Sequence, residues 1–352
     1  MIAARACLRL AALLLAALAM PAPHAAAREI TDSAARTVTL PERVDTVFAA
    51  GPPAAILLYV LTPDKMTGWP RALHEGERPY IAPPYRDLPE TGRLTGRGGG
   101  ANLERVLAIN PDLILDFGSV RDTYADLADR VQAQTGIPYI LINGRFDETP
   151  AALRLLGRAL GRAERGEALA THVEGTFARI DALLADIPEA ARPRVYLARG
   201  PDGLETGMKG SINTEIIERA GGRNVADDGG RTRGLVRASM EQVIAADPEI
   251  IVTWDRTFFD TVFDDPLWQG IAAVRAGRVH LAPTAPFGWI DRPPSLNRII
   301  GLEWMAGLLY PDRWQGDLRA DVRDFYQLFY HVDLDEDALD RLLEWADGRP
   351  PG

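Results

Sequence analysis

The side chains best able to do chemistry in this chain are arginines and aromatics set in irregular segments. The run PFGWIDRPP, Pro286 to Pro294, holds Phe287, Trp289, Asp291 and Arg292 where consecutive prolines exclude regular helix and strand. Trp69 precedes, and Arg71, His74, Tyr80 and Tyr85 fall within, a stretch from Pro70 to Gly100 rich in proline, glycine and arginine. Phe117, Arg199, Trp254 and Asp255 stand where apolar runs end. Aromatic rings give flat apolar walls, and guanidinium groups give paired donors to carboxylates or hydroxamates. The candidate ligand-binding residues are therefore Trp69, Arg71, Tyr85, Phe117, Arg199, Trp254, Asp255, Trp289 and Arg292. A core position suits Trp69 and Trp254 equally well, and an ion pair with Asp291 is the structural alternative for Arg292.

Other chemistries find little support. His74, His172, His280 and His331 are scattered without HxxxH or HExxH spacing, so no metal site of the protein's own is expected. Asp333, Asp335, Asp337 and Glu344 resemble a calcium loop in part, but Ala338 stands where its glycine is required. Ala338, Leu339, Leu342, Leu343 and Trp345 instead continue a helical stripe, which reads the acids as an N-cap cluster. The run Gly96-Arg97-Gly98-Gly99-Gly100 lacks the lysine and spacing of a phosphate loop. There is no GxSxG elbow and no Cys-His pair, so no enzyme and no cofactor is expected. The net charge of -10, becoming -12 once Arg5 and Arg9 leave with the leader described below, argues against a nucleic-acid partner. Lys65 and Lys209 are the only lysines, so almost every cation is a bidentate-capable arginine.

The element that must position these loops occurs twice. Asn102 to Leu115 reads NLERVLAINPDLIL and Ser239 to Val252 reads SMEQVIAADPEIIV, an internal repeat matching Glu104 with Glu241 and Pro111 with Pro248. Each copy starts as a short amphipathic helix, with Leu103, Val106 and Leu107 or Met240, Val243 and Ile244 at helical spacing. Asn110-Pro111 and Asp247-Pro248 stop it, since proline lacks the ladder N–H and drives the preceding residue from the α region. The apolar runs Leu113 to Leu115 and Ile250 to Val252 then suit strands covered on both faces of a parallel sheet. Their ends open onto Asp116 to Ser119 and Thr253 to Asp255, and ligands of open α/β sheets sit at such carboxyl ends.

Along the chain, Met1 to Ala27 reads as a cleavable secretory signal: Arg5 and Arg9, an apolar run from Leu10 to Met20, then Ala25-Ala26-Ala27. Cys7 precedes the apolar run and does not end it, so no lipid anchor is expected and the mature chain of about 325 residues is cysteine-free. Residues 28–148 form an N-terminal α/β lobe with a hairpin edge at Ala34 to Leu40, strands Val44 to Ala49, Met66 to Trp69 and Tyr139 to Ile142, and helices Ala54 to Leu61 and Arg121 to Thr135. Residues 149–188 hold a short helix and one long connecting helix carrying Leu169, Val173, Phe177, Ile180 and Leu184 on a single stripe. Residues 189–352 form a C-terminal α/β lobe with strands Arg194 to Ala198 and Val279 to Leu281 and helices Asn213 to Ala220, from Asn297 and from Leu318. The cleft between the lobes is expected to be lined by Gly51 to Pro53, Trp69 to Arg71, Asp116 to Ser119, Arg199 to Lys209, Trp254-Asp255 and Pro286 to Pro294.

Signal, lobe, one connecting helix and second lobe, with the repeat in matching places and Glu218-Arg219-Ala220-Gly221-Gly222-Arg223-Asn224-Val225 similar to an aGGxNV element, resemble periplasmic substrate-binding proteins of ABC importers for iron-siderophores, haem and cobalamin. The resemblance covers nearly the whole mature chain. It implies the class III fold, two similar lobes with mainly parallel central sheets joined by a single long α-helix; a single rigid connecting helix in turn predicts small closure movements. It also implies that Glu104 and Glu241 dock into arginine pockets of the membrane permease. A carboxylate in a helix's first turn is favoured by the dipole and stays accessible. The expected protein is a periplasmic monomer that captures a metal chelate, foremost a ferric siderophore, with cobalamin, haem, a nickel chelate or molybdate and tungstate as alternatives. An exported enzyme acting on a metal complex is the alternative of another class.

Overall fold

The computed structural model describes residues 28–96 and 103–344. The signal segment Met1 to Ala27 with Cys7, Arg97 to Gly100, the repeat's first residue Asn102, and Trp345 lie outside the described residues.

The chain opens with an antiparallel hairpin, β1 (Arg28–Thr31) and β2 (Thr37–Leu40). The carboxylate of Asp32 holds it to the first lobe by accepting from the Leu141 amide at 3.1 Å. The first sheet consists of β3 (Val47–Ala49), β4 (Leu113–Gly118) and β5 (Tyr139–Asn143), all parallel, in that order. Gly51 leads β3 into α1 (Pro52–Leu61), where prolines occupy first-turn positions whose N–H has no helical partner anyway. Every residue of α1 from Ala54 to Leu61 is buried, as befits a helix apolar all round. Met66 to Trp69 does not form the expected strand. Only isolated bridges from Met66 to Val47 and from Trp69 to Glu90 exist, because Gly68 adopts φ +154° with the Pro89 carbonyl 2.1 Å from where a Cβ would stand.

The first repeat copy supplies α2 (Leu103–Ile109) and β4, followed by α3 (Asp122–Thr135), which ends on Gly136 at φ +72°. Next come α4 (Thr149–Ala159) and α5 (Ala163–Leu184), packed so closely that a Cβ on Gly157 would lie 3.0 Å from the Gly166 Cα. The 22 residues of α5 span about 33 Å.

Beyond α5 follow β6 (Arg194–Ala198), β7 (Glu205–Gly207), α6 (Glu215–Arg219), β8 (Arg223–Asn224), β9 (Leu235–Arg237), α7 (Met240–Ala246) and β10 (Ile250–Thr253). Two short helices, α8 (Arg256–Thr261) and α9 (Ala272–Arg275), then lead to β11 (Val279–Leu281), α10 (Arg298–Leu309), α11 (Leu318–Tyr330) and α12 (Glu336–Leu343). The second sheet is parallel throughout, in order β11-β10-β6-β8, while β7 and β9 make a separate hairpin. The expected helix Asn213 to Ala220 shortens to α6, and the β7/β9 hairpin, α8 and α9 carry no clear sequence signal.

The repeat copies are built alike. Asn110 and Asp247 both turn left-handed, at φ 50° and 38°, so the residue before each proline leaves the α region through the left-handed basin and not the extended one. The acid after each proline then clips the neighbouring strand's start. Asp112 accepts from the Asp45 and Thr46 amides at 2.8 Å and donates its own amide to the Thr46 carbonyl; Glu249 does the same with Arg194.

The last two helices cross back onto the first lobe. Tyr59 of α1 donates to the Tyr330 carbonyl, Tyr80 to that of Ala338, and Arg165 of α5 to those of Val60 and Leu328. One apolar core therefore runs from α1 through α5 to α10, α11 and α12.

Candidate functional site

A cleft of about 1240 Å³ opens where the carboxyl ends of β4 and β5 face the segments after β6 and β11. Its most unusual property is charge. Arg71, Arg93, Arg121 and Arg145 line it from the first lobe, and Arg199, Arg233 and Arg292 from the second; its acids are Glu77, Asp116 and Asp291.

Each acid is already occupied. Glu77 grips the Arg71 guanidinium with both carboxylate oxygens, at 2.5 and 2.8 Å. Wholly buried Asp291 accepts from Trp254 Nε1 at 2.7 Å and Asn213 Nδ2 at 3.2 Å, and Arg199 Nε lies 3.0 Å away. That last contact is angled outside hydrogen-bond geometry, so Arg199 acts on Asp291 as a charge. Burial pushes the Asp291 carboxyl up, and Arg199 pulls it partly back. Asp116, at the end of β4, is also pushed up by burial; Tyr139 Oη and Thr95 Oγ1 at 3.2 Å and the Phe117 amide at 2.9 Å oppose the rise. Among the described residues Arg93, Arg121, Arg233 and Arg292 have no acid within 4.0 Å; Arg121 Nε donates to Ser119 Oγ at 3.1 Å, and the charge of all four is left for an anionic ligand.

Of the nine residues expected at the ligand, Arg71, Phe117, Arg199 and Arg292 line the cleft. Arg292 is exposed and makes no ion pair with Asp291, contrary to the structural alternative; its guanidinium lies 4.6 Å over the Trp254 indole, with Arg199 at 5.5 Å. Trp254 supports those two arginines and is not among the lining residues. The other placements correct the expectation. Trp69 is a core residue, donating to the Tyr85 carbonyl at 2.8 Å and packed 6.0 Å from Phe287. Tyr85 is half-buried edge-on to Tyr59. Asp255 caps α8, accepting from the Thr257 and Phe258 amides. Trp289 is wholly buried and donates to Tyr326 Oη at 3.3 Å. In each case a core partner or a helix end satisfies the side chain away from the cleft.

Arg93, Arg121, Arg145 and Arg233 were not anticipated. Arg121 and Arg145 follow the ends of β4 and β5 by two or three residues, a position that could have flagged them. Arg93 and Arg233 lie in irregular chain with no such signal.

Beneath the cleft the lobes are joined by a buried cation. Arg298 donates to Glu215 Oε1 and the Ile212 carbonyl at 2.8 Å and to the Gly144 carbonyl of the first lobe at 2.7 Å, while Glu215 accepts from the Phe146 amide at 3.1 Å. Glu104 and Glu241 both sit exposed in the first turns of α2 and α7. The Glu241 carboxyl is held below its usual range by its own amide and the Ser239 side chain, in a helix that Ser239 and Gln242 close with a reciprocal capping box. Among the described residues no three His, Cys, Asp or Glu side chains are placed to hold a metal ion. Asp335 caps α12 by accepting from the Ala338 amide, so the calcium-loop resemblance resolves into a cap.

The family described as periplasmic binding protein matches residues 56–286. The chain is 31% identical to an ABC transporter solute binding protein from Sulfurospirillum deleyianum, with a TM-score of 0.81 over 90% of this chain and 99% of that one. It is 25% identical over 223 residues to an ABC transporter substrate-binding lipoprotein of Bacillus subtilis, covering 61% of this chain and 67% of the relative. A cobalamin-binding protein of Halobacterium salinarum is 30% identical over 172 residues, or 47% of this chain and 45% of that protein.

Proposed function

The chain belongs to the periplasmic binding protein family, and on that premise we propose that it captures an anionic metal chelate, foremost a ferric siderophore, between its lobes for delivery to an ABC permease. The observation that carries this reading is the arginine surplus of the cleft. Of its seven guanidinium groups three are already paired, Arg71 with Glu77, Arg145 with Glu215 at 3.3 Å and Arg199 with Glu205 and Asp291, while Arg93, Arg121, Arg233 and Arg292 have no acid within 4.0 Å among the described residues. A neutral solute would leave those four cations desolvated without compensation, whereas carboxylates or catecholates offer them bidentate partners. The volume admits a bulky chelate and exceeds what a small oxyanion needs.

A second reading, cobalamin, is favoured by the likeness to the Halobacterium protein. Cobalamin offers a single phosphate among neutral amides, which matches the arginine count poorly. Mass spectrometry of small molecules retained by protein purified from its native cell envelope separates the two. Calorimetric titration with ferric citrate, a ferric trihydroxamate and cyanocobalamin then ranks ligands by charge. Affinity rising with ligand negative charge and falling with salt supports the reading; retained cobalamin, or salt-insensitive binding of a neutral ligand, sinks it.

A further inference from the structure

Among the described residues three large apolar side chains stand out in solvent: Leu107, 48% exposed, Ile244, 45%, and Leu267. Leu107 and Ile244 occupy the same position of the repeat, three residues after Glu104 and Glu241. Spacing alone assigns both to the buried stripes of α2 and α7, but Val106 and Val243 fill the inward place instead. The helices carry the same order of exposure: the first and last residues half-buried, the valine buried, and the glutamate, its neighbour, the aliphatic residue and the following alanine exposed. Residues three apart lie on one helix face, so each lobe presents a carboxylate with a branched aliphatic side chain one turn on.

We propose that Leu107 and Ile244 are the apolar contacts that seat the two lobes on the membrane permease, each entering a hollow beside the basic group that meets the glutamate of its helix. The inference rests on the reading above that this chain serves a permease. Charge selects the occupant. A second copy would bring glutamate against glutamate in a chain of net charge -10, and an anionic lipid surface would repel the same groups. A basic surface with apolar hollows complements both parts of each patch. Because the patch is given twice, once per lobe, the partner must offer two equivalent receptors, as a dimeric permease does. The aliphatic side chains supply burial while the carboxylates supply register.

The test compares Leu107→Ser with Ile244→Ser, as a double variant of the full chain, against Glu104→Arg with Glu241→Arg. Association with the detergent-purified permease–ATPase complex of the same cell is measured by biolayer interferometry, beside thermal melts and sedimentation. The serine variant is expected to bind about a hundredfold more weakly, about tenfold for each side chain removed, with an undiminished melting temperature and a monomeric wild type. Unchanged association of the serine variant alongside loss in the charge-reversal variant overturns this inference and leaves permease docking standing. Unchanged association in both overturns docking itself. A lowered melting temperature assigns the pair to the core, and self-association of the wild type that the serine variant abolishes assigns it to a second copy; either result overturns the proposal.

Discussion

Arg292 owes its position to an aromatic ring and not to an acid, which separates its role from stability. Its guanidinium rests over Trp254, whose N–H is held by Asp291, while the charge of Asp291 is answered by Arg199. If the cleft holds the proposed anionic chelate, Arg292→Ala should therefore weaken its binding by roughly ten- to a hundredfold in calorimetric titration, with the melting temperature nearly unchanged. Arg199→Ala should behave differently, because it leaves Asp291 buried without its cation. A loss on the order of 3 kcal/mol, read by denaturant unfolding, is expected. The sequence announced PFGWIDRPP as functional but could not sort its members, since Trp289, Asp291 and Arg292 point respectively into the core, under Trp254 and into the cleft. Which way each turns is fixed by α10, α11 and the end of β10, all distant in sequence. A third residue, Glu218 on α6, predicts a pH effect. Burial pushes its carboxyl up to about 7, and neither oxygen finds a hydrogen-bond donor from another described residue. Between the ordinary value of 4.5 and about 7 the folded chain keeps a proton that the unfolded chain has released, so stability declines as pH rises through that window. Buried His280, pulled down to about 4, contributes in the opposite sense, so the test is the difference between proteins: Glu218→Gln should remove up to about 3 kcal/mol of the decline between pH 5 and 8, read from thermal melts of wild type and variant.

At the scale of elements, the cleft loop is set by how closely α10 approaches it. A Cβ on Gly301 would stand 1.9 Å from the Trp289 carbonyl oxygen, a backbone atom that cannot swing aside. Alanine at a helix interior ordinarily gains about 1 kcal/mol over glycine, but overpacking costs about 1 to 3 kcal/mol even where side chains can yield. The clash should win. Gly301→Ala is expected to lower the melting temperature and, by displacing Pro286 to Pro294, to weaken ligand binding together with it; a stabilised variant with normal affinity would show that the loop moves freely. The helix-turn-strand repeat was legible because its signals are local: a proline stop and an unbroken apolar run. Met66 to Trp69 misled for the complementary reason. Its apolar residues suit a strand, but the close approach of Pro89 to Gly68 is a tertiary fact that the segment does not carry. The short helices α8 and α9 and the β7/β9 hairpin were missed because they are four to six residues or fewer, too short for periodicity to register.

For the whole molecule, a single connecting helix is only part of what relates the lobes. The helix α5 was legible as one stripe, but the return of α11 and α12 onto α1 was not, since it depends on contacts such as Tyr59 with Tyr330, far apart in the chain. Between these supports lies the Glu215–Arg298 pair, which ties α6 and α10 to the Gly144 and Phe146 backbone directly under the ligand cleft. Arg298 is also stacked 4.3 Å over Phe146, so a charge, a ring and two carbonyls hold one lobe against the other. Glu215→Gln keeps the shape and the acceptor for the Phe146 amide while stranding the Arg298 charge in the interior. Breaking a buried pair in this way typically costs about 3 to 5 kcal/mol, against almost nothing for an exposed one. The variant should melt several degrees lower. If the pair also sets the angle between lobes, spin labels placed on α3 and α9 should report a narrow distance distribution in the wild type, little altered by ligand, and a broadened one in the variant. A lowered melting temperature with an unbroadened distribution would assign the lobe geometry to the aromatic core between α1 and α11, and leave Glu215 and Arg298 a role in stability alone.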